Sequence, residues 1–348
     1  MSFPFAKIKG NIQSQLNTTH QLQGVMELID KADKVFRENF AATASFERAI
    51  FFSWYCSIRD CAYCYMSTQT GSKMARRTVE SLMAEALICK EFGWSFCFLS
   101  GGKDAYTKVE FLELLKQLHQ AYGSKFYVNI GALTKEDIEQ MRPFIEGVVA
   151  AVETINPKLH EKVCPSKPLA PFEDMFSHAQ GLKKAITIII GLGETIDDFF
   201  LLEEFIRKHG LDKIHIYSLN PQKGTVYEKV KPPKKEYHAE WIARTRLAFP
   251  KIDIQAGIWL DRADTVSLLL KAGANSVSKF PAIKRFNSEE AREIERQTKL
   301  AGRSFVGTLT MYHEPDTEKL LSGIDPSKRE LVRKKLDSYL KNMRKEKS

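Results

Sequence analysis

The sequence predicts a parallel (β/α)8 barrel of the TIM type, with helical extensions at both ends. Eight short apolar runs recur along the chain, helical patterns separate them, and the runs are apolar enough to be buried on both faces. The runs cover residues 49–55, 94–100, 125–131, 147–153, 185–191, 213–219, 252–257 and 275–280.

The helical patterns between these runs complete a series of β-α units. Predicted helices cover residues 77–92, 108–122, 135–144, 172–182, 196–209, 236–248 and 262–272. We therefore predict three parts: a helical amino-terminal extension over 1–45, the barrel over 46–283, and a basic helical carboxyl-terminal extension over 284–348.

The 348-residue chain has a formal net charge of +9. Basic residues concentrate at 229–235 and 329–347, which indicates a solvated surface or one that attracts an acidic electron donor such as ferredoxin or flavodoxin. Nucleic acid is a disfavoured partner, because no aromatic interleaving or binding motif accompanies these charges. No apolar run is long enough to cross a bilayer and no signal peptide is visible, so we expect a cytoplasmic protein without membrane contact.

Three cysteines follow the first apolar run with the spacing C-x4-C-x2-C: Cys56, Cys61 and Cys64. Three thiolates this close can hold three irons of a [4Fe-4S] cluster and leave the fourth iron open for chemistry. A structural zinc site needs a second Cys/His pair farther along the chain, and none matches. Disulfides are disfavoured by the low cysteine content and the missing signal peptide.

Polar segments close most of the predicted strands, where barrel enzymes carry their catalytic residues. The cysteine loop follows the first run, and Asn129 closes the third. The other segments are 100–104, 153–157, 191–195, 220–225 and 255–257.

These features resemble the radical S-adenosylmethionine (SAM) superfamily, and its biotin synthase-like group in particular. That superfamily mostly spaces its cysteines C-x3-C-x2-C, with an aromatic residue before the third, here Tyr63; segment 57–60 is one residue longer than expected. The resemblance implies that Cys56, Cys61 and Cys64 hold the cluster and that the open iron binds the methionine portion of SAM. It also implies reductive cleavage to a 5′-deoxyadenosyl radical, which abstracts hydrogen from the substrate.

The resemblance further implies a set of SAM-binding residues. Ser100, Gly101 and Gly102 match the segment that grips the methionine amino group. Glu153 is expected to bind the ribose hydroxyls. Gly191 and Gly193, within a Gly-Leu-Gly-Glu-Thr segment, and Asn220 border the adenine, with Glu194 capping a helix or bracing the loop. The arginine that usually meets the methionine carboxylate is absent between 142 and 207, so Lys167 takes that role.

From the sequence, the presence of a second iron–sulfur cluster is an open question. Cys97 lies in the second strand and Cys164 in the loop after the fourth, while Cys89 has a helical pattern typical of a buried small side chain. Cys97 and Cys164 could bind an auxiliary cluster, and Arg303-Ser304 weakly resembles a lipoyl synthase ligand motif. Three unliganded thiols are the alternative.

The resemblance is compatible with several functions. The first is cofactor biosynthesis, with sulfur insertion as in the two-component archaeal lipoyl synthase or in biotin formation. The second is a single-cluster lyase or mutase, or a metallocofactor maturase, resembling methylornithine synthase or the hydrogenase-cofactor radical enzymes. An RNA-modifying radical enzyme and a cluster-bearing scaffold are the remaining alternatives. The substrate is expected to be a small molecule or a group on a carrier protein, with pocket residues from Asn129, Tyr217, Gln255 and Trp259.

Overall fold

The computed structural model describes residues 19–68 and 75–345, and its centre is a closed barrel of eight parallel strands. Each strand pairs with the next along the chain, and β1 pairs with both β2 and β8, which closes the barrel. The predicted fold class is therefore confirmed. The strands are β1 (Thr43–Ser53), β2 (Ser95–Gly101), β3 (Phe126–Asn129), β4 (Ile145–Glu153), β5 (Lys183–Ile190), β6 (Lys213–Ser218), β7 (Asp253–Gly257) and β8 (Ser276–Ser278).

Helices surround the barrel and extend it at both ends. They are α1 (Thr19–Asn39), α2 (Val79–Glu91), α3 (Lys108–Tyr122), α4 (Lys135–Met141), α5 (Pro157–Val163), α6 (Ala170–His178), α7 (Phe199–His209), α8 (Lys235–Ala248), α9 (Val266–Lys271), α10 (Glu289–Leu300), α11 (Thr317–Leu321) and α12 (Pro326–Arg344). Short 3-10 helices cover Tyr65–Thr68, Ile196–Asp198 and Leu260–Thr265. In the described ranges, every helix is too short or too polar to serve as a membrane span.

Side-chain caps fix where several of these helices begin. Thr107 accepts a hydrogen bond from the backbone N–H of Glu110, and the Glu110 carboxylate accepts one from the backbone N–H of Thr107. This reciprocal capping box satisfies backbone donors that the first helical turn leaves free. Gly123 ends the same helix in the left-handed conformation, with φ of 83°. The sequence signals for α3 therefore agree with its structure at both ends.

Apolar side chains on the outer faces of the strands form the main core with the helices. Ile186, Ile214 and Ile254 from three neighbouring strands are fully buried there. The interior of the barrel is different, because it combines a few apolar groups with the charged side chains of Glu47 and Lys213. The barrel interior is therefore the place where the fold holds polar chemistry away from solvent.

Both extensions pack against the helices that surround the barrel. Helix α1 packs against α8, and α12 packs against α2 through the buried side chains of Leu336 and Leu340. A ninth strand, β9 (Ser304–Val306), pairs in parallel with the first residues of β1 and has no counterpart in the sequence prediction. Strand β1 begins at Thr43, inside the predicted amino-terminal extension, of which residues 1–18 lie outside the described part of the chain. The three-part division stays a prediction.

Candidate active site

The loop after β1 carries the three clustered cysteines and is fastened to the loop after β2. The backbone N–H of Ser57 donates to the Lys103 oxygen at 3.1 Å, and the Ser57 hydroxyl donates to Asp104 Oδ2 at 2.6 Å. Arg59 in the same segment has φ of 53° and donates from Nε to the Cys56 oxygen at 3.0 Å. The long first gap between the cysteines is thus an ordered turn with its own anchors.

Gly101 and Gly102 let the cysteine loop approach the end of β2 closely. A Cβ on Gly102 would lie 1.8 Å from the Tyr55 oxygen and 2.6 Å from Cys56 Cβ. A Cβ on Gly101 would lie 2.4 Å from the ring of Phe52. Both distances are far inside van der Waals contact, so only glycine permits this packing. The glycines predicted to approach a ligand thus also position the cysteines.

A cavity of about 440 Å³ opens beside the cysteine loop at the carboxyl ends of the strands. The structure brings together around it most of the residues that the sequence singled out: Cys56, Cys61, Tyr63, Cys64, Ser100, Gly101, Gly102, Asn129, Glu153 and Lys167. Their individual roles toward SAM stay predictions. The arrangement shows that one space is bordered by all three thiols and by groups suited to a polar ligand.

The donor set fits an iron–sulfur cluster. Cys56, Cys61 and Cys64 are free, half-buried thiols that border the same cavity. Burial raises the pKa of the Cys64 thiol to about 11, so a bound metal would have to supply the positive charge that stabilises its thiolate. Cys61, Cys64 and Cys56 could therefore hold three irons, with the fourth facing the cavity.

Glu153 and Lys167 form a buried ion pair in the cavity wall. Lys167 Nζ donates to Glu153 Oε1 at 2.7 Å, and the two side chains are 13% and 8% exposed. Burial by itself would lower the pKa of Lys167, but the Glu153 carboxylate raises it above its usual value. Glu153 also has φ of 65°, a left-handed conformation that is costly for a residue with a Cβ. The sequence assigned the two residues to different parts of SAM, and the structure places them in contact.

The Gly-Leu-Gly-Glu-Thr segment after β5 is braced by its own glutamate. The Glu194 carboxylate accepts hydrogen bonds from the backbone N–H groups of Gly191 at 2.6 Å, Leu192 at 2.9 Å and Gly193 at 3.2 Å. This geometry agrees with the expected bracing role. Gly191 and Gly193 have φ of 105° and 124° and are not among the residues that line the cavity beside the cysteines.

A second cavity, of about 520 Å³, adjoins the first and contains Asn220, Tyr217 and Trp259 in its wall. Lys279, the first residue after β8, lines both cavities. Its Nζ lies 4.4 Å from the ring centre of Tyr217, 5.6 Å from that of Phe51 and 5.9 Å from that of Trp259. Burial lowers its pKa to about 8.

Lys279 was not among the site residues predicted from the sequence. Its backbone φ is 71°, and no carboxylate in residues 19–68 or 75–345 forms an ion pair with it. The available signal was a lysine near the carboxyl end of the last predicted run, 275–280, because catalytic groups lie at the carboxyl ends of barrel strands. An unpaired ammonium surrounded by aromatic rings is a binding group for an anion.

The cysteines outside the motif do not meet. Cys97 lies in the barrel interior, where the Gln255 amide donates to its sulfur at 3.3 Å. Cys164 lies against Cys61, in a separate group of apolar side chains beside the cysteine loop. Cys89 is buried in α2. A shared auxiliary cluster on Cys97 and Cys164 therefore has no support in the geometry.

Arg303 and Ser304 lie far from the cysteine loop, so neither is placed to act as a cluster ligand there. Arg303 is buried and donates to the backbone oxygens of Ala274 and Leu270. Ser304 begins β9 beside Thr43, at the amino end of the barrel. The similarity to a lipoyl synthase motif is thus a local sequence coincidence, because the cysteine loop lies at the opposite end.

Together, the barrel and this loop define a (β/α)8 protein with a three-cysteine iron–sulfur site at the carboxyl ends of its strands. The model of the radical SAM superfamily matches residues 52–206. The chain is 38% identical over 297 residues to an uncharacterised protein of Methanocaldococcus jannaschii, covering 83% of this chain and 82% of that protein. The chain belongs to the radical SAM superfamily, whose members are enzymes that use a [4Fe-4S] cluster and SAM.

Characterised relatives are more distant. The 3-methylornithine synthase of Methanosarcina barkeri is 25% identical over 262 residues, covering 74% of this chain and 75% of that enzyme. The solved structure of methylornithine synthase (PylB) aligns with a TM-score of 0.72 at 21% identity, covering 90% of this chain and 99% of that one. The maturase HydG of Carboxydothermus hydrogenoformans aligns with a TM-score of 0.67 at 19% identity, covering 93% and 83%. These structural alignments agree with the barrel fold.

Proposed function

We propose that this chain is a single-cluster radical SAM enzyme of the lyase or mutase type, which acts on a small amino-acid-like substrate. The observation that carries the proposal is the pair of adjoining cavities, one bordered by the three cysteines and the other by Tyr217 and Trp259, with Lys279 at their junction. Sulfur insertion loses its main support, because Cys97 and Cys164 are buried in two separate groups of apolar side chains and cannot bind one auxiliary iron–sulfur cluster together.

The residues divide the work as follows. When bound, the cluster supplies the electron that cleaves the carbon–sulfur bond of SAM and thereby yields the 5′-deoxyadenosyl radical. Glu153 and Lys167 offer a carboxylate and an ammonium to the ribose and the methionine carboxylate. The contacts of Asn220 and of the loop after β5 with the adenine stay expectations, because Asn220 lines the second cavity and Gly191 and Gly193 are not among the lining residues of either cavity. The barrel wall excludes water from the radical, which would otherwise be lost to side reactions.

Lys279 gives the proposal its substrate class. An ammonium near three aromatic rings stays charged at moderate pH, and a substrate carboxylate would complete its ion pair. The 3-methylornithine synthases are relatives whose name specifies an amino-acid product. An amino-acid-like substrate with its carboxylate on Lys279 fits both observations. The net charge of +9 suits an acidic electron donor such as ferredoxin or flavodoxin.

Anaerobic reconstitution tests the enzyme class. We expect about four irons per chain and formation of 5′-deoxyadenosine with SAM and dithionite. Cys61→Ala should abolish both, whereas the matched change Cys89→Ala, in the buried face of α2, should retain both. About eight irons per chain would return the sulfur-insertion hypothesis to first place. Absence of 5′-deoxyadenosine with a fully loaded cluster would support the scaffold reading instead.

A deuterated amino-acid mixture tests the substrate class. The wild-type enzyme should transfer deuterium from such a mixture into 5′-deoxyadenosine, because hydrogen abstraction moves the label. Lys279→Met should lower the label transferred per 5′-deoxyadenosine formed by roughly tenfold or more, the worth of one charged hydrogen bond. Lys271→Met, an exposed lysine at the end of α9, is the matched control. Unlabelled 5′-deoxyadenosine from the wild type would refute the amino-acid assignment.

A further inference from the structure

Three potential metal ligands converge in the barrel interior, apart from the cysteine loop. They are Glu47 of β1, Cys97 of β2 and His215 of β6. One ligand atom from each, an oxygen, a sulfur and a nitrogen, lies within 4.8 Å of the other two. The three side chains come from strands far apart in the sequence, and all are buried. We refer to them as the interior triad.

His215 has unused binding capacity. The residue is 0% exposed, and neither ring nitrogen has a hydrogen-bond partner in the described residues. Both ring nitrogens are therefore available to a ligand. Neutral imidazole is the form that binds metal ions. Buried polar atoms without partners are rare in folded proteins, and a bound ligand is one of the explanations they call for.

The other two members of the triad are held by neighbouring donors. The Gln255 amide nitrogen donates to Glu47 Oε2 and, at 3.3 Å, to the Cys97 sulfur. Ser276 donates from Oγ to Glu47 Oε1 at 2.7 Å. Such outer contacts orient ligands and are typical of built metal sites. The triad therefore has the supporting shell that a chance meeting of three side chains lacks.

The charge of the surrounding groups favours a divalent cation. Lys213 Nζ lies 2.6 Å from Glu47 Oε1 and 2.7 Å from Asp253 Oδ2. Two carboxylates thus share one ammonium, which leaves one excess negative charge at the amino end of the barrel interior, where the Asp253 side chain is 41% exposed. A divalent ion that binds Cys97 as its thiolate adds two positive charges and one negative, and so neutralises the group. Lys213 keeps Asp253 as its partner when Glu47 turns to the metal.

An ion can reach the triad without passing the cysteine loop. A cavity of about 530 Å³ opens at the amino end of the barrel and is lined by Glu47, Cys97, Lys213 and Asp253. Phe36 and Phe40, from the end of α1 and the residue that follows it, form part of its rim. The route and the triad are thus both distinct from the cavity beside the three cysteines.

We propose that Glu47, Cys97 and His215 form a mononuclear site for a divalent zinc-type cation in the barrel interior. Sulfur, nitrogen and carboxylate oxygen together suit zinc, and three protein ligands leave a fourth position for water or a substrate group. Binding converts the Cys97 thiol to a thiolate and releases its proton to solvent. No electron transfer is involved.

The test uses the full-length chain in which Cys56, Cys61 and Cys64 are all replaced by serine, so that the cluster cannot contribute. This parent should hold about one zinc per chain after dialysis. Cobalt as a replacement probe should give thiolate-to-cobalt charge transfer in the near ultraviolet. His215→Ala should weaken zinc binding by roughly 100-fold or more, above the 10–100-fold typical of outer-shell changes. Cys97→Ser should remove the charge-transfer band.

Cys89→Ser in the same parent is the matched control, because Cys89 is also buried but lies in α2, and it should keep the zinc and the band. Absence of bound zinc and of the cobalt band in the parent would overturn the proposal. Equal binding by the parent and a folded His215→Ala variant would also overturn it. If both ligand variants fail to fold, the parent alone decides through its cobalt spectrum. The result does not depend on SAM cleavage, so it stands apart from the proposed function.

Discussion

Replacing Glu153 by Gln tests the ion pair in the wall of the cysteine cavity. The change leaves the Lys167 ammonium buried without the carboxylate that lies 2.7 Å away. At an effective dielectric constant of about 20, unit charges about 3 Å apart attract by roughly 5 kcal/mol. The substituted amide still accepts one hydrogen bond, so part of this interaction survives. We therefore expect Glu153→Gln to lower the free energy of unfolding by about 3 kcal/mol.

A double-mutant cycle assigns that loss to the pair. Lys167→Met should cost a similar amount, because it leaves the carboxylate buried and unpaired. The double variant should cost less than the sum of the single ones by about 2 kcal/mol. Urea unfolding of the metal-free protein measures these values. Glu240→Gln on α8 is the control, because its partner Arg244 is 39% exposed, and it should cost about 1 kcal/mol or less.

The same variants report on SAM. With the cluster reconstituted, Glu153→Gln should weaken SAM binding by about tenfold or more, because a charged acceptor is lost from the predicted ribose site. Glu240→Gln should bind SAM as the wild type does. A loss of stability below about 1 kcal/mol together with no coupling would refute the reasoning about the ion pair. Unchanged SAM affinity in Glu153→Gln would show that the Glu153 carboxylate does not bind SAM.

Three further changes probe the loop, the protonation of the core and the carboxyl-terminal helix. Gly102→Ala should displace the cysteine loop, because the new Cβ would lie 1.8 Å from the Tyr55 oxygen. The iron content of this variant should fall well below that of the control Gly323→Ala, whose Cβ would have no neighbour closer than 3.9 Å. Burial lowers the pKa of His238 to about 4, so the unfolded chain takes up this proton first and stability falls as the pH drops from about 6.5 to 4. His238→Gln should flatten that slope by up to about 1.4 kcal/mol per pH unit in urea titrations; an unchanged slope would contradict the assignment. Leu336→Ala should cost about 3 kcal/mol in the same assay, because this fully buried side chain joins α12 to α2; a cost below 1 kcal/mol would mean that α12 contributes little.

The barrel and the cysteine loop were predictable because their signals are local. Each strand is a short apolar run, and the three cysteines lie within nine residues. The interior triad was not predictable from the sequence, because it depends on the register between strands. Arg48 pairs with Phe96 while Ala49 pairs with Phe98, so Cys97 is an extra residue in β2. This bulge lets the consecutive residues Cys97 and Phe98 both face inward, which a two-residue alternation does not foresee.

Long-range contacts also explain the other differences from the sequence prediction. Strand β9 is only three residues long and forms where the chain returns to the start of β1. A segment so short has no periodicity of its own, and its pairing depends on the position of the whole tail. Lys279 stands out only once Tyr217 and Trp259 are known to surround it. Local patterns therefore located the cysteine loop and two residues of the cavity wall, Tyr217 and Trp259, but not Lys279, which lies between them.

The polar interior of the barrel argues for ligands rather than for stability. Replacing a buried ion pair by well-packed apolar side chains is often neutral or stabilising. Glu47, Lys213 and His215 nevertheless occupy the interior of a barrel whose outer faces contribute the main apolar core. Tyr217 joins this centre to the carboxyl-end cavities: its ring lies 4.4 Å from Lys279 Nζ, and its hydroxyl donates to Gln255 Oε1 at 3.1 Å. A substrate on Lys279 and a cation on the interior triad would thus be joined through Tyr217 and Gln255, by a cation–π contact at Lys279 and by hydrogen bonds from Gln255 onward, which an apolar core could not provide.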